Sequence, residues 1–333
     1  MRIGIVTPAF NVAPYIGEAI KSVLMQTHQD WTMVVVDDGS TDGTSGVVRS
    51  FSDSRLGLIG QPNAGVSAAR NRGIGALACD ATLFLDGDDC LAPFALEALA
   101  RALVDAPAAI ASVGAYQRGG RVFNPASGDL LKPLLVRNLF VNGGHVLIRR
   151  QAVVPFRCDL RYGEDWEYWV RLALRRQEPR CDNGALPPRP PPAGEGGEFR
   201  VVTGGLFTAT AETRPILFVR ERLGGAYLSM ATQVSSFAGC LEAIHGNPAL
   251  ANRFPPDARA ALRQQAKAEV HWVIGRELIR HGRYPEGLRS LRRSVAFRAT
   301  FRRVGLLAIA AGLAMVPPTW RGPLRPYQGD MDR

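Results

Sequence analysis

Residues 83–90, LFLDGDDC, decide how this chain reads. A run apolar on both faces that ends in Asp86, Asp88 and Asp89 fits a strand buried inside a sheet, its carboxyl end opening onto a ligand site. Three carboxylates that close repel one another unless a cation sits among them, and hard divalent ions such as Mn²⁺ or Mg²⁺ take oxygen ligands of this kind. Alone, the same residues read as an acidic turn with Asp89 capping the next helix. The sequence around them reverses that preference.

On the N-terminal side, Ile3–Thr7, Met33–Asp37 and Leu56–Gly60 have the same apolar, strand-like composition, and Thr82–Leu85 is the strand of the opening motif. Between them Tyr15–Gln26 places Ile16, Ala19, Ile20, Val23 and Leu24 on one helical stripe, and Val66–Ala78 and Ala95–Leu103 read as further helices. Strands alternating with helices predict a doubly wound, Rossmann-like α/β sheet. The polar residues just past each strand are then the first candidates for chemistry. VVVDDGSTDGT (34–44) ends a strand in Asp37 and Asp38, adjacent acids able to accept from a base N–H and a ribose hydroxyl, although taken alone they form a turn and helix cap. QPNAGVSAARNRG (61–73) carries Arg70 and Arg72, whose planar forks suit phosphate oxygens; a solvated basic face is the competing reading, and fits Arg72 better than Arg70. GEDWEYWVRLAL (163–174) puts Glu164 and Asp165 in the first turn of a helix whose apolar face is aromatic, where acids also serve the helix dipole. Mutual repulsion and aromatic shielding would raise a carboxyl pKa there toward that of a useful general base.

Beyond Arg176 the pattern changes. Glu178–Glu198 is dominated by Pro and Gly and predicts no regular element; its abrupt composition fits a local insertion or an out-of-frame stretch. Tyr227–Ile244, Asp257–His281 and Pro285–Ala311 predict a helical, Arg-rich C-terminal region. Arg292, Arg293, Arg298, Arg302 and Arg303 precede an uncharged run, Val304–Pro318, and Arg321 and Arg325 follow it. That run is shorter than the roughly 20 residues a spanning helix needs. It reads either as a helix packed on the catalytic domain or as one lying in the plane of an anionic leaflet.

The 333 residues, 46% of them hydrophobic, are enough for a sizeable core, and a net charge of +10 favours anionic partners: nucleotide phosphates, acidic headgroups or nucleic acid. Five scattered cysteines without a CxxC pair predict neither a disulfide framework nor a zinc site, and point to a reducing cytosol. MRIGIVTPAF lacks the apolar core of an export signal. The five histidines show no metal-ligand spacing. No GxGxxG follows the first strand and no GxxxxGK[ST] loop occurs, which disfavours a dinucleotide dehydrogenase and a P-loop enzyme.

Together TPAFN (7–11), VVVDDGSTDGT, NAGVSAARNRG, LFLDGDD and GEDWEYW occur in the order and approximate spacing of glycosyltransferase family 2, the inverting enzymes with a GT-A fold, which the first 176 residues resemble. The resemblance implies a GT-A catalytic core over 1–176, a Pro/Gly-rich segment with the remnant of a closing region over 177–226, and a basic helical region over 227–333. It implies that Asp38, with Asp37 nearby, meets the base and ribose, that Thr7, Pro8 and Asn11 line that pocket, and that Arg70 approaches the diphosphate. Asp88 would be the direct ligand of Mn²⁺ or Mg²⁺, Asp86 the motif's other acid nearer the ribose, and Asp165, beside Glu164, the catalytic base. The expected partners are a nucleotide-sugar donor, uridine diphosphate by default, a glycan or lipid-linked acceptor and an anionic membrane surface, and not nucleic acid. The expected place is the cytoplasm, with attachment to the inner face of the membrane if the C-terminal helix binds lipid. The family's closing Tyr-x-x-His or Arg-rich segment is echoed only by RERLGGAYLS (220–229), without its His. A binding protein that has lost turnover is therefore the alternative function. Sugar-phosphate nucleotidyl transfer is disfavoured, because TPAFN stands where a Gly-rich loop would be needed.

Overall fold

In the computed structural model, residues 1–140, 143–175, 206–220 and 236–315 are described. The N-terminal strands β1 (Ile3–Ala9), β2 (Trp31–Asp37), β3 (Leu56–Gly60) and β4 (Ala81–Phe84) alternate with helices α1 (Ala13–Leu24), α2 (Thr44–Arg49) and α3 (Val66–Ala76). Period-two alternation buries both faces of the sheet: Met33 and Val35 of β2 join one core with Ile16, Ile20 and Leu83, while Val34 and Val36 join the other with Ala69 and Phe84. After α4 (Ala95–Asp105) come β6 (Ala109–Val113), a hairpin of β7 (Tyr116–Arg118) and β8 (Arg121–Phe123), β9 (Gly128–Asp129), the short α5 (Leu131–Leu134) and β10 (Val146–Arg149); β5 is Cys90–Leu91. The helix α6 (Glu164–Leu174) buries Trp166, Tyr168, Trp169 and Val170, the aromatic face its sequence predicts.

Among the described residues the main sheet has eight strands in the order β3-β2-β1-β4-β10-β6-β11-β9, where β11 is Leu206–Ala209. β3, β2, β1 and β4 run parallel, and β10 runs antiparallel to its two neighbours. The order reverses between β1 and β4, so a crevice opens beyond their carboxyl ends, where such sheets hold ligands. β1 runs two residues past its expected end and takes in Pro8 and Ala9, each paired with β2. The reason is local. Val6 bonds toward β4, accepting from Leu85 N at 3.0 Å, and alternation turns Pro8 to that same side, where β4 has already ended and no N–H is needed.

Strands from beyond Arg176 belong to these sheets. β11 pairs in parallel with β6, and β12 (Leu217–Val219) joins β5, β7 and β8 in a second, four-stranded sheet. Glu178–Glu198 lies outside the described residues, as do 221–229 of the closing-segment echo and the tail bearing Arg321 and Arg325.

The C-terminal helices α7 (Ser236–His245) and α8 (Pro256–Arg280) extend one core: Cys240, Leu241, Ile244, Leu262, Ala266 and Val270 cluster with α6. The single helix expected over Pro285–Ala311 is in fact two, α9 (Tyr284–Phe297) and α10 (Phe301–Met315). The break follows from polar anchors at its ends. Ser294 Oγ donates to the Ala268 carbonyl at 2.8 Å, and Thr300 Oγ1 caps the new helix by accepting from Arg303 N–H at 3.2 Å. The buried Arg303 then reaches Glu269 at 2.5 Å and the Arg298 carbonyl at 3.0 Å. The helical pattern continues across the break, which is why it hides in the sequence.

Candidate active site

The acidic tip of β4 stands at the reversal point of the sheet. One carboxylate oxygen from each of Asp86, Asp88 and Asp89 lies within 4.8 Å of the others. The three acids do different work. Asp89 is buried and accepts the Arg220 backbone N–H at 3.0 Å, while Arg220 Nε donates to the Asp88 carbonyl at 3.1 Å. Arg220 directly follows β12, pairs with Glu18 and lies 4.9 Å from the Tyr15 ring, so the end of the second sheet clamps the turn from outside. Asp86 receives Arg70 Nη2 at 3.0 Å, and Asp88 is half-buried between them. This set of hard oxygen donors could hold Mn²⁺ or Mg²⁺.

Arg70 is the hinge of the site. It is buried on α3, 5.1 Å from the Phe156 ring, and its other terminal nitrogen donates to Glu164 at 3.4 Å. Its guanidinium thus joins the β4 tip to the start of α6. Burial opposes its charge, but Asp86, Glu164 and Asp165 together outweigh that and raise its pKa. The sequence reading turned this side chain toward a diphosphate; here its bonds go to two carboxylates. Arg72 is exposed, the solvated face that competed with a phosphate role.

Gly163, at φ 73°, turns the chain into α6 with its backbone against Cys240, where a Cβ would lie 2.6 Å from the sulfur. Glu164 and Asp165 follow in a shielded first turn. Asp165 Oδ2 accepts from Asn138 Nδ2 at 2.9 Å, and Asn138 Oδ1 accepts from Phe140 N–H at 3.2 Å, which fixes the amide's orientation. Burial raises the pKa of Asp165, with Arg70, the Trp166 amide and Asn138 pulling the other way. Burial and then the charge of Asp165 push Glu164 up to about 7, against Arg70.

Across the crevice, Asp38 accepts from Gln61 Nε2 at 2.7 Å, Ala64 N at 2.9 Å and Gly65 N at 2.8 Å, holding the loop before α3. Asp37 accepts from Ser40 N at 2.9 Å and from the Ser45 hydroxyl; burial raises its pKa, but the Ser40 and Ser45 bonds outweigh it and leave it below the ordinary value. Gly39, at φ 79°, has its backbone against Asn63 N, where a Cβ would lie 2.9 Å away, and this lets the two loops meet. Asn11, at φ 51°, ties in a third loop: its Oδ1 accepts from Thr41 N at 2.9 Å and its N–H donates to Ser40 Oγ at 3.0 Å. Pro8 is partly exposed, whereas Thr7 is fully buried and its hydroxyl has no partner among the described residues. The structure therefore brings Pro8, Asn11, Asp37 and Asp38 to one crevice wall, with Thr7 behind it, and gathers Asp86, Asp88, Arg70, Glu164 and Asp165 on the other. Asn138 and Arg220 were not among the expected site residues. Asn138 stands in no motif, Arg220 opens the closing-segment echo, and each acts across a long span of chain.

Residues 4–160 match the family model described as Glycosyl transferase family 2. The chain is 36% identical over 129 residues to glycosyltransferase GlyA of Streptococcus pneumoniae, a match covering 38% of this chain and 18% of GlyA. It is 32% identical over 185 residues to the uncharacterized glycosyltransferase EpsJ of Bacillus subtilis, covering 49% of this chain and 53% of EpsJ. With WfgD of Escherichia coli, named as a UDP-Glc:alpha-D-GlcNAc-diphosphoundecaprenol beta-1,3-glucosyltransferase, it shares 28% over 177 residues, 51% of this chain and 69% of WfgD. The chain thus spans little more than half of EpsJ and under a fifth of GlyA. Among solved structures, residues 1–349 of S. aureus TarS superpose with a TM-score of 0.54 at 15% identity, over 94% of this chain and 87% of that one. The mannosyltransferase PcManGT from Pyrobaculum calidifontis, in complex with GDP-Man and Mn²⁺, gives 0.56 at 19% identity, over 96% and 82%. These likenesses show a shared fold, a GT-A-like α/β sheet followed by a helical region. The motif order, the sheet that reverses beside an Asp-Gly-Asp tip and the family match over 4–160 agree: residues 4–160 form a domain of glycosyltransferase family 2.

Proposed function

We propose that the chain transfers a sugar from a nucleotide diphosphate, uridine diphosphate by default, to an acceptor hydroxyl with inversion, in the synthesis of a cell-surface polysaccharide or glycan. The observation that carries this reading is the Arg70 bridge, which holds the acid of a metal-binding tip and a shielded pair of carboxylates, Glu164 and Asp165, at one crevice. The complex of PcManGT with GDP-Man and Mn²⁺ and that of TarS with UDP support such a donor, and the name of WfgD supports a lipid-linked acceptor.

In this mechanism Pro8, Asn11, Asp37 and Asp38 take the base and ribose on loops already cross-tied. A divalent ion held by Asp88 and Asp86 would supply positive charge opposite the departing diphosphate. Asp165 removes the acceptor proton as the acceptor oxygen bonds to the anomeric carbon. The bond from that carbon to the diphosphate oxygen breaks, its electron pair leaving with the nucleotide diphosphate. One displacement inverts the centre. Asn138 keeps one Asp165 oxygen fixed, and Arg70 limits the cost of holding three acids together.

A thermal-shift panel of uridine and guanosine diphosphate sugars, with and without Mn²⁺, tests the reading. A true donor at 100 times its Kd should add about 2.7 kcal/mol of stability. The expected result is a shift for one nucleotide sugar that needs metal. Absence of any shift, or shifts indifferent to metal, would contradict the assignment.

We further propose that α10 rests on an anionic membrane face. It packs inward through Leu306, Leu307 and Ala310 but exposes Phe301, Val304 and Ile309 on one stripe, with Arg292, Arg293, Arg298 and Arg302 exposed around its start. No helix among the described residues is long and apolar enough to cross a membrane. The protein should cosediment with vesicles containing anionic phosphatidylglycerol, less so at high salt, and Phe301→Ser with Ile309→Ser should abolish this. Failure to bind such vesicles at low salt rules the surface out.

A further inference from the structure

A second basic feature lies away from the carboxylate tip. A groove of about 440 Å³ opens between the end of α7 and the first half of α8, lined by His245, Arg259, Arg263, Gln264 and Lys267. That volume falls in the roughly 300–1,000 Å³ range of small-ligand sites. Arg259, Arg263 and Lys267 recur every fourth residue on α8, so they form one row along the helix, spanning about 12 Å over eight residues. Among the described residues the one acid paired with this row is Glu242 of α7, which meets Arg263. Arg259 has no ion-pair partner among the described residues, and Lys267 has only the Phe297 ring, at 5.7 Å.

The polar atoms there are unusual in being shielded without being satisfied. Arg259 Nε, Arg263 Nε and His245 Nε2 are all buried and lack a hydrogen-bond partner among the described residues. Buried donors of a guanidinium are costly to leave unmatched, and arranged in a row they suit several oxygens of one polyanion better than a single carboxylate. Burial, followed by Arg263, holds the pKa of His245 at about 4. At neutral pH its ring is therefore uncharged, and an arriving anion would draw a proton onto it.

We propose that this groove is a binding site for a diphosphate group, distinct from the donor crevice, with Arg259, Arg263 and Lys267 as its cations and His245 as its end wall. The site does not depend on the catalytic reading. It has a structural route to the catalytic centre all the same: Cys240, on α7 one and a half turns before His245, bonds the Gly163 carbonyl at 3.2 Å, immediately before Glu164 and Asp165. A diphosphate seated here would bear on the helix that backs the base side of the crevice. Its natural sources are a free diphosphate and the diphosphate head of a lipid-linked sugar.

The test uses the full chain in chelator, so that a divalent ion cannot recruit the carboxylate tip. Inorganic pyrophosphate and a short-chain prenyl diphosphate are each titrated by calorimetry, while the His245 Cε1 proton is followed by NMR. The expected result is one binding event that shifts the His245 resonance and moves its titration to higher pH, against a background of Arg259, Arg263, Lys267 and Glu242. Binding should weaken at least about tenfold in Arg259→Ala/Arg263→Ala, one decade of affinity being the scale of a lost charge-assisted contact, and persist in Asp88→Asn. Tighter binding of the prenyl compound assigns the site to a lipid carrier, and equal binding to free diphosphate. If the double variant melts early, Lys267→Gln replaces it, with the same expectation. No binding of either compound, binding that leaves His245 unmoved, or loss of binding in Asp88→Asn overturns the proposal.

Discussion

Asp88→Ala should lower the rate of sugar transfer by about three orders of magnitude, roughly 4 kcal/mol of transition-state stabilisation, without lowering the melting temperature of the metal-free protein. The two halves of this expectation come from the same geometry. Asp86 is tied to Arg70 and Asp89 to the Arg220 backbone, while the Asp88 carbonyl accepts from Arg220 Nε, a backbone contact that Ala keeps. Asp88 is the half-buried acid between them, and removing it relieves repulsion among three carboxylates whose oxygens lie within 4.8 Å. Asp86→Ala makes the contrast, because it strips a partner from a buried guanidinium and should cost stability as well as activity. Initial rates of nucleotide diphosphate release across a Mn²⁺ titration, alongside melting curves, separate the cases. Turnover within tenfold of the parent protein would remove Asp88 from the metal site.

The residues of the candidate site were more legible than their allegiances. Strands β1 to β4 and helix α6 announce themselves through local periodicity, since a buried strand or an aromatic helix face needs only its own residues to be recognised. The same is true of the acids at their ends. What those acids bind is set by pairs far apart in the chain: Arg70 reaches Glu164, Asn138 reaches Asp165, and Arg220 reaches the turn at Asp88 and Asp89. No periodicity records such contacts. Asp37 and Asp38 carry a similar lesson, for the motif that suggests nucleotide contacts is also the device that fixes two loops through Ser40, Gln61 and Gly65. In the C-terminal region, Thr300 was a visible helix-capping residue, but an uninterrupted run of helix formers on both sides of it masked the break.

Asp165→Asn should lower the transfer rate about a thousandfold, within the 10²–10⁴ range of a lost general base, and should do so with the fold intact or firmer. An Asn side chain still offers its one oxygen to Asn138 Nδ2, giving up only the bond that the other Asp165 oxygen accepts from Trp166 N–H, and Arg70 keeps Asp86 and Glu164. What disappears is the proton acceptor and a buried negative charge. The pH dependence gives the assignment its sharper test. Because burial raises the pKa of Asp165 and holds Glu164 at about 7, the folded protein binds protons more tightly at this pair than the unfolded chain does. Stability from the pair is therefore greatest at acid pH and falls as pH rises from ordinary carboxylate values through about 7, while activity, which needs Asp165 ionised, has an acid limb displaced upward from the ordinary carboxylate range. In Asp165→Asn the repulsion felt by Glu164 is gone, so its pKa drops, the neutral-pH loss of stability shrinks and the acid limb of the residual activity moves down or vanishes. Melting curves and rate profiles from pH 5 to 9 would show both changes. A variant that kept a tenth of the parental rate with an unchanged acid limb would move the base to another residue, with Glu164 the first to examine.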